Sequence, residues 1–339
     1  MTAVADAALL DHATQTIEVG SKSFAAAAKL FDPDTRRGVL MLYAWCRHCD
    51  DVVDGQDLGM HTASTGIEHT PAEARRQLEL LREQTRRAYA GETMREPAFA
   101  AFQDVALRHA IAPRYAYDHL AGFAMDVDEV RYDTIDDTLR YCYHVAGVVG
   151  LMMASIMGAH KNGEHDEATL DRACDLGLAF QLTNIARDIV DDARVGRCYL
   201  PASWLREAGI PRDEIALERH RPALARLAAR LVDYAEPYYD SALDGIAALP
   251  LRSAWAIASA RNVYREIGIV VKRRGARAWD ERAGTSKAAK LWLLAKGGAG
   301  ALSSRWARTG PRPAQLWRRP GGEPAPSSTV PHAIRAAGA

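Results

Sequence analysis

Phe180-Gln181-Leu182-Thr183-Asn184-Ile185-Ala186-Arg187-Asp188-Ile189-Val190-Asp191-Asp192 contains neither proline nor glycine and reads as α-helix. Gln181, Asn184, Asp188 and Asp192 are spaced three, four and four, so at 100° per residue they form one stripe. Leu176, Leu178, Ile185 and Ile189 flank it, which marks the helix for burial. Four oxygen-bearing side chains on a buried helix are awkward without a ligand. Carboxylate and amide oxygens are what a hard cation prefers. An inter-helix polar network is the alternative.

The same spacing occurs about 140 residues upstream, in Tyr43-Ala44-Trp45-Cys46-Arg47-His48-Cys49-Asp50-Asp51-Val52-Val53-Asp54. Here Tyr43, Arg47, Asp50 and Asp54 share a face, offering an aromatic ring, a guanidinium and two carboxylates. Like charges one turn apart destabilise a helix unless something compensates them. Two such pairs predict a cluster of divalent cations, with Mg²⁺ bridging carboxylates to substrate phosphates. Arg47 can fork onto phosphate oxygens. The competing reading is a solvated acidic helix end in which Arg47 pairs Asp51 or Asp54.

Periodicity is helical nearly throughout, with no alternating hairpin pair, so the chain is all-α. Asp32-Pro33 reads as an N-cap followed by proline, opening a helix that ends at Gly55. Further helices are predicted over about 73–90, 97–110, 114–125, 136–158, 167–193, 221–248 and 251–274, with a polar loop over 55–72. Gly147, Gly150, Ala154 and Ser155 allow close backbone approach or leave room for a long ligand. From Gly297 the composition turns to Pro, Gly, Ser, Ala and Arg. The expectation is one helical domain over 1–296 and a disordered tail over 297–339.

Of 339 residues, 48% are hydrophobic and 25% charged, as in globular proteins. The formal net charge is zero, which argues against a nucleic-acid binder. No secretory signal is visible, and the uncharged run Val145–Ala159 falls short of the ~20 residues of a membrane span. A cytoplasmic protein is expected. Cys46-x-x-Cys49 lies in a helix interior without a second such pair, so packing explains it better than redox or zinc chemistry.

Gly20-Ser21-Lys22-Ser23-Phe24 ahead of a helix is either an anion site or simple N-capping. No P-loop or G-x-G-x-x-G turn occurs. Tyr264-Arg265 and the basic run Lys272, Arg273, Arg274, Arg277 and Arg282 offer charge for phosphate, though such runs are usually solvated faces.

These segments, with Arg131-Tyr132-x-Thr134, Tyr141-Cys142-Tyr143-His144-Val145-Ala146-Gly147-Val148-Val149-Gly150 and Gly196-Arg197-Cys198-Tyr199-Leu200-Pro201, resemble the phytoene/squalene synthase family. Six motifs match in order over about residues 10 to 295, nearest to bacterial members from carotenoid pathways. The resemblance implies an isoprenoid-synthase helical bundle with a central cavity, a prenyltransferase joining two geranylgeranyl diphosphates head to head (1′-1). The product would be phytoene, formed through prephytoene diphosphate with loss of two diphosphates. It implies Mg²⁺ or Mn²⁺ on Asp50, Asp54, Asn184, Asp188 and Asp192. Ser21, Ser23, Arg47, Gln181, Arg187 and Arg282 would contact phosphate, with Tyr43, Tyr141 and Tyr264 as pocket tyrosines and Phe24 and Phe180 as apolar walls. Tyr141 and Phe180 would face the carbocation. Gly20 departs from relatives that carry histidine there. ATP dependence comes from the resemblance alone. With no dinucleotide fold, NADPH is not expected and the last step is proton loss. The greasy substrates suggest peripheral docking on the inner membrane and handover to neighbouring carotenoid enzymes. The rivals are a C30 squalene or dehydrosqualene synthase using farnesyl diphosphate, a head-to-tail prenyltransferase reading Asp50-Asp51-x-x-Asp54 as DDxxD, and a non-catalytic lipid-binding or assembly protein on the same fold.

Overall fold

The computed structural model describes residues 3–20, 22–57, 60–61, 70–161, 164–307 and 310–321. Thirteen α-helices make up most of the described chain. The first group is α1 (Ala3–Gly20), α2 (Lys22–Ala28), α3 (Pro33–Asp54), α4 (Pro71–Tyr89), α5 (Pro97–Arg108) and α6 (Pro113–Val127). Then come α7 (Ile135–Cys142), α8 (Val148–Ile156), α9 (Glu167–Arg194) and α10 (Ala202–Glu207). The last three are α11 (Arg221–Gly245), α12 (Leu251–Arg274) and α13 (Lys287–Ser303). Two antiparallel pairs of two residues, Gln56–Asp57 with Met60–His61 and His160–Lys161 with Glu164–His165, are the only strands described. The polar loop expected over 55–72 falls largely outside the described residues.

Local chemistry sets the helix ends. Asp32 accepts a hydrogen bond from the Thr35 N–H at 3.0 Å, Pro33 fills the first turn, and Gly55 ends α3 in the left-handed region at φ 62°. Only a residue without Cβ takes that φ cheaply. Thr134 and Asp137 form a reciprocal capping box that starts α7.

Helix α9 is the central post, packed on α8, α11 and α12, while α3 lies against α1, α4 and α5. Glycine makes the α8–α9 contact possible. A Cβ on Gly177 would stand 2.3 Å from the Ala146 carbonyl oxygen, and one on Gly150 2.3 Å from that of Ala173. The long helix expected over 136–158 is present over 135–156, but a π-helical turn at Tyr143–Gly147 divides it into α7 and α8. Such a turn inserts one residue and rotates the helix beyond it. Over its full length, Ile135–Ile156 has the span and apolarity of a membrane helix, unlike the shorter run Val145–Ala159, yet 67% of its most apolar stretch is buried inside the protein.

A disordered tail from residue 297 does not describe what is seen. Helix α13 crosses that position because Leu293, Gly297 and Ala301 pack inward, and a Cβ on Gly297 would lie 2.3 Å from Ser259 Oγ. Residues 310–321 then form a strap over α9 and α11. Arg312 forks onto Asp175 at 2.7 and 2.8 Å, Arg319 Nε donates to Asp171 at 2.6 Å, and the Trp317 N–H donates to Tyr238 Oη at 3.1 Å. Residues 322–339 lie outside the described chain.

Candidate active site

Helices α3 and α9 present their acidic stripes to each other at one end of a cavity of about 850 Å³. From α3 the cavity takes Tyr43, Cys46, Arg47 and Asp50; from α9 it takes Phe180, Gln181, Asn184 and Arg187. Phe24, Tyr141, Tyr264 and Arg282 complete the predicted residues that line it. Asp54 and Asp188, paired with arginines, and Asp192, near Arg197, are not among the lining residues. Ser21 and the side chain of Ser23 lie outside the described residues.

The carboxylates are organised by guanidinium groups. Arg47 bridges Asp50 at 3.0 Å and Asp51 at 2.5 Å. Arg187 forks onto Asp188 at 2.8 and 2.5 Å, and Arg282 Nη2 adds a third contact at 3.2 Å. Arg197, beyond the end of α9, grips Asp54 with both Nη atoms. Burial raises the Asp188 carboxyl, but Arg187 and Arg282 outweigh it and leave it below the usual carboxylate range. For Asp50 and Asp192 the nearby Arg47 and Arg197 do not outweigh burial. Burial, then the neighbouring Asp54, pushes Asp50 up to about 7; burial, then Asp188, does the same to Asp192.

A polar relay sits beside them. Asp126 on α6 accepts from Tyr141 Oη at 3.1 Å and Tyr199 Oη at 3.0 Å, and the two rings stack at 4.5 Å. Burial lifts Asp126 to about 6. The Tyr199 carbonyl accepts from Thr138 Oγ1 at 2.9 Å, which ties the 196–201 segment to α7. On the opposite wall Phe180 stacks on Tyr264 at 4.1 Å, and Phe24 meets Tyr43 at 5.7 Å. A Cβ on Gly20 would stand 2.4 Å from the Tyr43 hydroxyl, so a larger residue there requires the Tyr43 side chain to shift. Away from the acidic end the walls are apolar, with Val145, Val149, Met153, Leu176, Ile246 and Ile267. His119 also lines the cavity, its Nδ1 at 3.2 Å from the His144 carbonyl and its Nε2 without a partner.

Among the described residues no group of three His, Cys, Asp or Glu side chains stands ready to hold a metal ion, and arginines engage Asp54 and Asp188. The donor set nevertheless fits a hard divalent cation. Asn184 Oδ1 is buried with no hydrogen-bond donor, beside a Gln181 Oε1 that accepts from Asn184 Nδ2 at 3.2 Å. Burial and neighbouring carboxylates hold Asp50 and Asp192 above the usual carboxylate range, and a bound Mg²⁺ would favour their charged, oxygen-donating form.

Sequence reasoning missed Asp126, Arg197 and Tyr199. Arg197 and Tyr199 belong to the 196–201 motif, where no helical spacing points to a role, and Asp126 has no partner at helical spacing. Part of the basic run is engaged elsewhere: Lys272 pairs Asp233 and Arg274 donates to the Glu281 carbonyl at 2.8 Å, while the neighbouring Arg265 pairs Glu236 at 2.6 Å. Of the run, only Arg282 lines the cavity. Cys46 and Cys49 are unbridged, and burial raises both thiols.

A family model described as squalene/phytoene synthase matches residues 17–289. The chain belongs to this family. It is 62% identical over 312 residues to the 15-cis-phytoene synthase of Pantoea ananas, covering 92% of this chain and 98% of that protein. It is 48% identical over 307 residues to the 15-cis-phytoene synthase of Paracoccus sp., covering 91% and 96%. Among solved structures it resembles a dehydrosqualene synthase in complex with ligand, with a TM-score of 0.76 and 25% identity over 88% of this chain and 98% of that one. The squalene synthase HpnC of Alicyclobacillus acidocaldarius shares the fold, with a TM-score of 0.67 and 23% identity over 81% and 97%.

Proposed function

We propose that this chain is a phytoene synthase, a prenyltransferase that condenses two geranylgeranyl diphosphates head to head into phytoene and two diphosphates in carotenoid biosynthesis. The observation that carries the site reading is one cavity with acidic groups clustered among guanidinium groups at one end, mostly apolar walls along the rest, and Arg172 beyond them. Identity above 60% to phytoene synthases over almost their whole length supports the substrate. Depth agrees. Arg172 lines the far end, and the rise along α9 from Arg172 to Asp188 is roughly 24 Å at 1.5 Å per residue, room for a C20 tail.

Asp50, Asp54, Asn184, Asp188 and Asp192 would hold Mg²⁺, with Mn²⁺ as the alternative, and the metal would neutralise the departing diphosphate. Arg47, Arg187, Arg197 and Arg282, which pair with carboxylates here, would contact phosphate oxygens when metal is bound, and their planar forks match both partners. Ser21, Ser23 and Gln181 add contacts to phosphate. Tyr43, Tyr141, Phe180 and Tyr264 line the volume where an allylic cation forms, and aromatic faces stabilise cations. Tyr141 is held in place by Asp126. The second tail's double bond attacks that cation, and loss of a proton from the donor's C1 closes the cyclopropane of prephytoene diphosphate; a second ionisation, rearrangement and a second proton loss give phytoene. The apolar walls exclude water, which would trap either cation as an alcohol. The enzyme works in the cytoplasm and meets the inner membrane face, where its lipid product is passed to the next carotenoid enzyme.

Incubation of purified protein with geranylgeranyl or farnesyl diphosphate, Mg²⁺ and no NADPH tests this by product mass. A C40 hydrocarbon with a central conjugated triene, and two diphosphates released per product, is expected. A C30 product alone, consumption of isopentenyl diphosphate, or lipid binding without diphosphate release overturns it.

A further inference from the structure

Helix α13 is amphipathic the wrong way round. Its inward face carries Leu293, Gly297 and Ala301, and small residues let it lie almost flush on α12. Its outward face carries Leu291, Trp292 and Leu302, which are 71%, 62% and 51% exposed, and Trp306 just beyond its end is 81% exposed. Ala288, Ala295 and Ala299 fill the spaces between them, at the i, i+3, i+4, i+7 spacing of one continuous stripe. Exposing this much apolar surface to water on one helix is unfavourable unless something covers it.

The charges around the stripe are of one sign. No Asp or Glu occurs from residue 283 to residue 321, whereas Lys287, Lys290, Lys296 and Arg305 border the face. Lys296 Nζ lies 5.2 Å from the Trp292 ring centre, and Arg305 Nη1 donates to the Ala247 carbonyl at 2.9 Å. The helix is fixed to the body as well: Trp255 Nε1 donates to the Leu294 carbonyl at 2.8 Å. Exposed tryptophans with flanking lysines and arginine match the interfacial depth of an anionic bilayer, where indoles sit at the headgroup level and cations reach lipid phosphates. A protein partner would more often meet a rim of mixed charge.

The position adds a second argument. Thr285 and Lys290, at the start of α13, line the catalytic cavity. The stripe therefore begins where the cavity wall ends.

We propose that the outward face of α13, centred on Leu291, Trp292, Leu302 and Trp306, docks the protein on an anionic lipid bilayer and sets the cavity beside it. This deepens the functional reading, in which substrate and product are both lipids, by naming the surface that meets the membrane. Docking places the C20 tails and the hydrocarbon product next to an apolar phase rather than water.

The test is flotation of the full chain with vesicles of phosphatidylcholine, with and without phosphatidylglycerol. Wild type should float with the phosphatidylglycerol vesicles and be released by salt, because the basic border is screened. Leu291→Glu/Trp292→Glu should lower partitioning at least about tenfold. It should leave turnover of detergent-dispersed geranylgeranyl diphosphate unchanged, since neither residue lines the cavity. Failure of wild type to float with any vesicle, or flotation of the double variant like wild type, overturns the proposal. Sedimentation giving a wild-type dimer that the double variant converts to monomer, without vesicle binding, assigns the face to a second copy and also overturns it. Turnover in detergent is read separately, so loss of docking and failure of the synthase reading are distinguishable.

Discussion

Arg197 and Asp54 lie 143 residues apart in the chain and meet in a two-pronged ion pair, with Nη1 to Oδ2 at 3.0 Å. The pair ties the segment after α9 to the last turn of α3, so the two acidic helix faces are held opposite each other. Arg197→Ala should lower kcat/KM for diphosphate release about a hundredfold, equivalent to about 2.7 kcal/mol. Arg197→Lys should recover only part of this, because a point charge lacks the fork. Wild-type rates in Arg197→Ala would remove Arg197 from the site.

Asp50→Asn and Asp188→Asn should each abolish measurable turnover, a loss of at least about a thousandfold, with helix content by circular dichroism unchanged. Chelation of divalent metal should do the same to wild type and be reversed by adding Mg²⁺. Full activity in either variant, or in chelator, would refute the metal assignment.

His119 links the cavity wall to pH. Burial depresses its pKa to about 4 from an ordinary value near 6.5, so the folded protein holds it neutral. The depressed value means the stabilisation is complete above about pH 6.5 and drains away as pH falls toward 4, by roughly 3 kcal/mol in all. Urea midpoints measured from pH 7.5 down to 5 should fall more steeply for wild type than for His119→Leu. Parallel curves would mean another group carries the loss.

The strap is a stability element with a lever on the cavity. Asp175 is fully buried, and Arg312 is its only guanidinium partner among the described residues. Arg312→Ala should cost about 3–5 kcal/mol, the usual penalty for stranding a buried charge, and Asp175→Asn in the same chain should return part of it. Arg172, bonded to the Gly310 and Ser241 carbonyls, stands at the far end of the cavity. Ending the chain before residue 310 should therefore also narrow the preference for geranylgeranyl over farnesyl diphosphate, read as a ratio of kcat/KM.

Gly177→Ala is the packing counterpart. Its Cβ would meet backbone on the π-helical turn, at 2.3 Å from the Ala146 oxygen and 2.7 Å from the Gly147 Cα, and backbone cannot swing aside as a side chain does. A loss of about 2–3 kcal/mol is expected in urea unfolding, together with reduced turnover as α8 moves off α9. A neutral substitution would show that the contact has slack.

What the residues declared on their own is whatever depends on neighbours within a turn or two. Asp32-Pro33 and Gly55 bounded α3 because capping and left-handed φ are local properties. The spacing of Asp50 with Asp54, and of Gln181 with Asn184, Asp188 and Asp192, was readable because helical period alone puts them on one face. Tertiary structure decided everything that depends on which distant groups meet. Arg197 reaches Asp54, Asp126 gathers Tyr141 and Tyr199, and Arg312 finds a buried Asp175 although its segment has the composition of a loose tail. A guanidinium carries no record in sequence of which carboxylate will neutralise it, because that choice is made by the packing of helices and by the cost of burying charge alone.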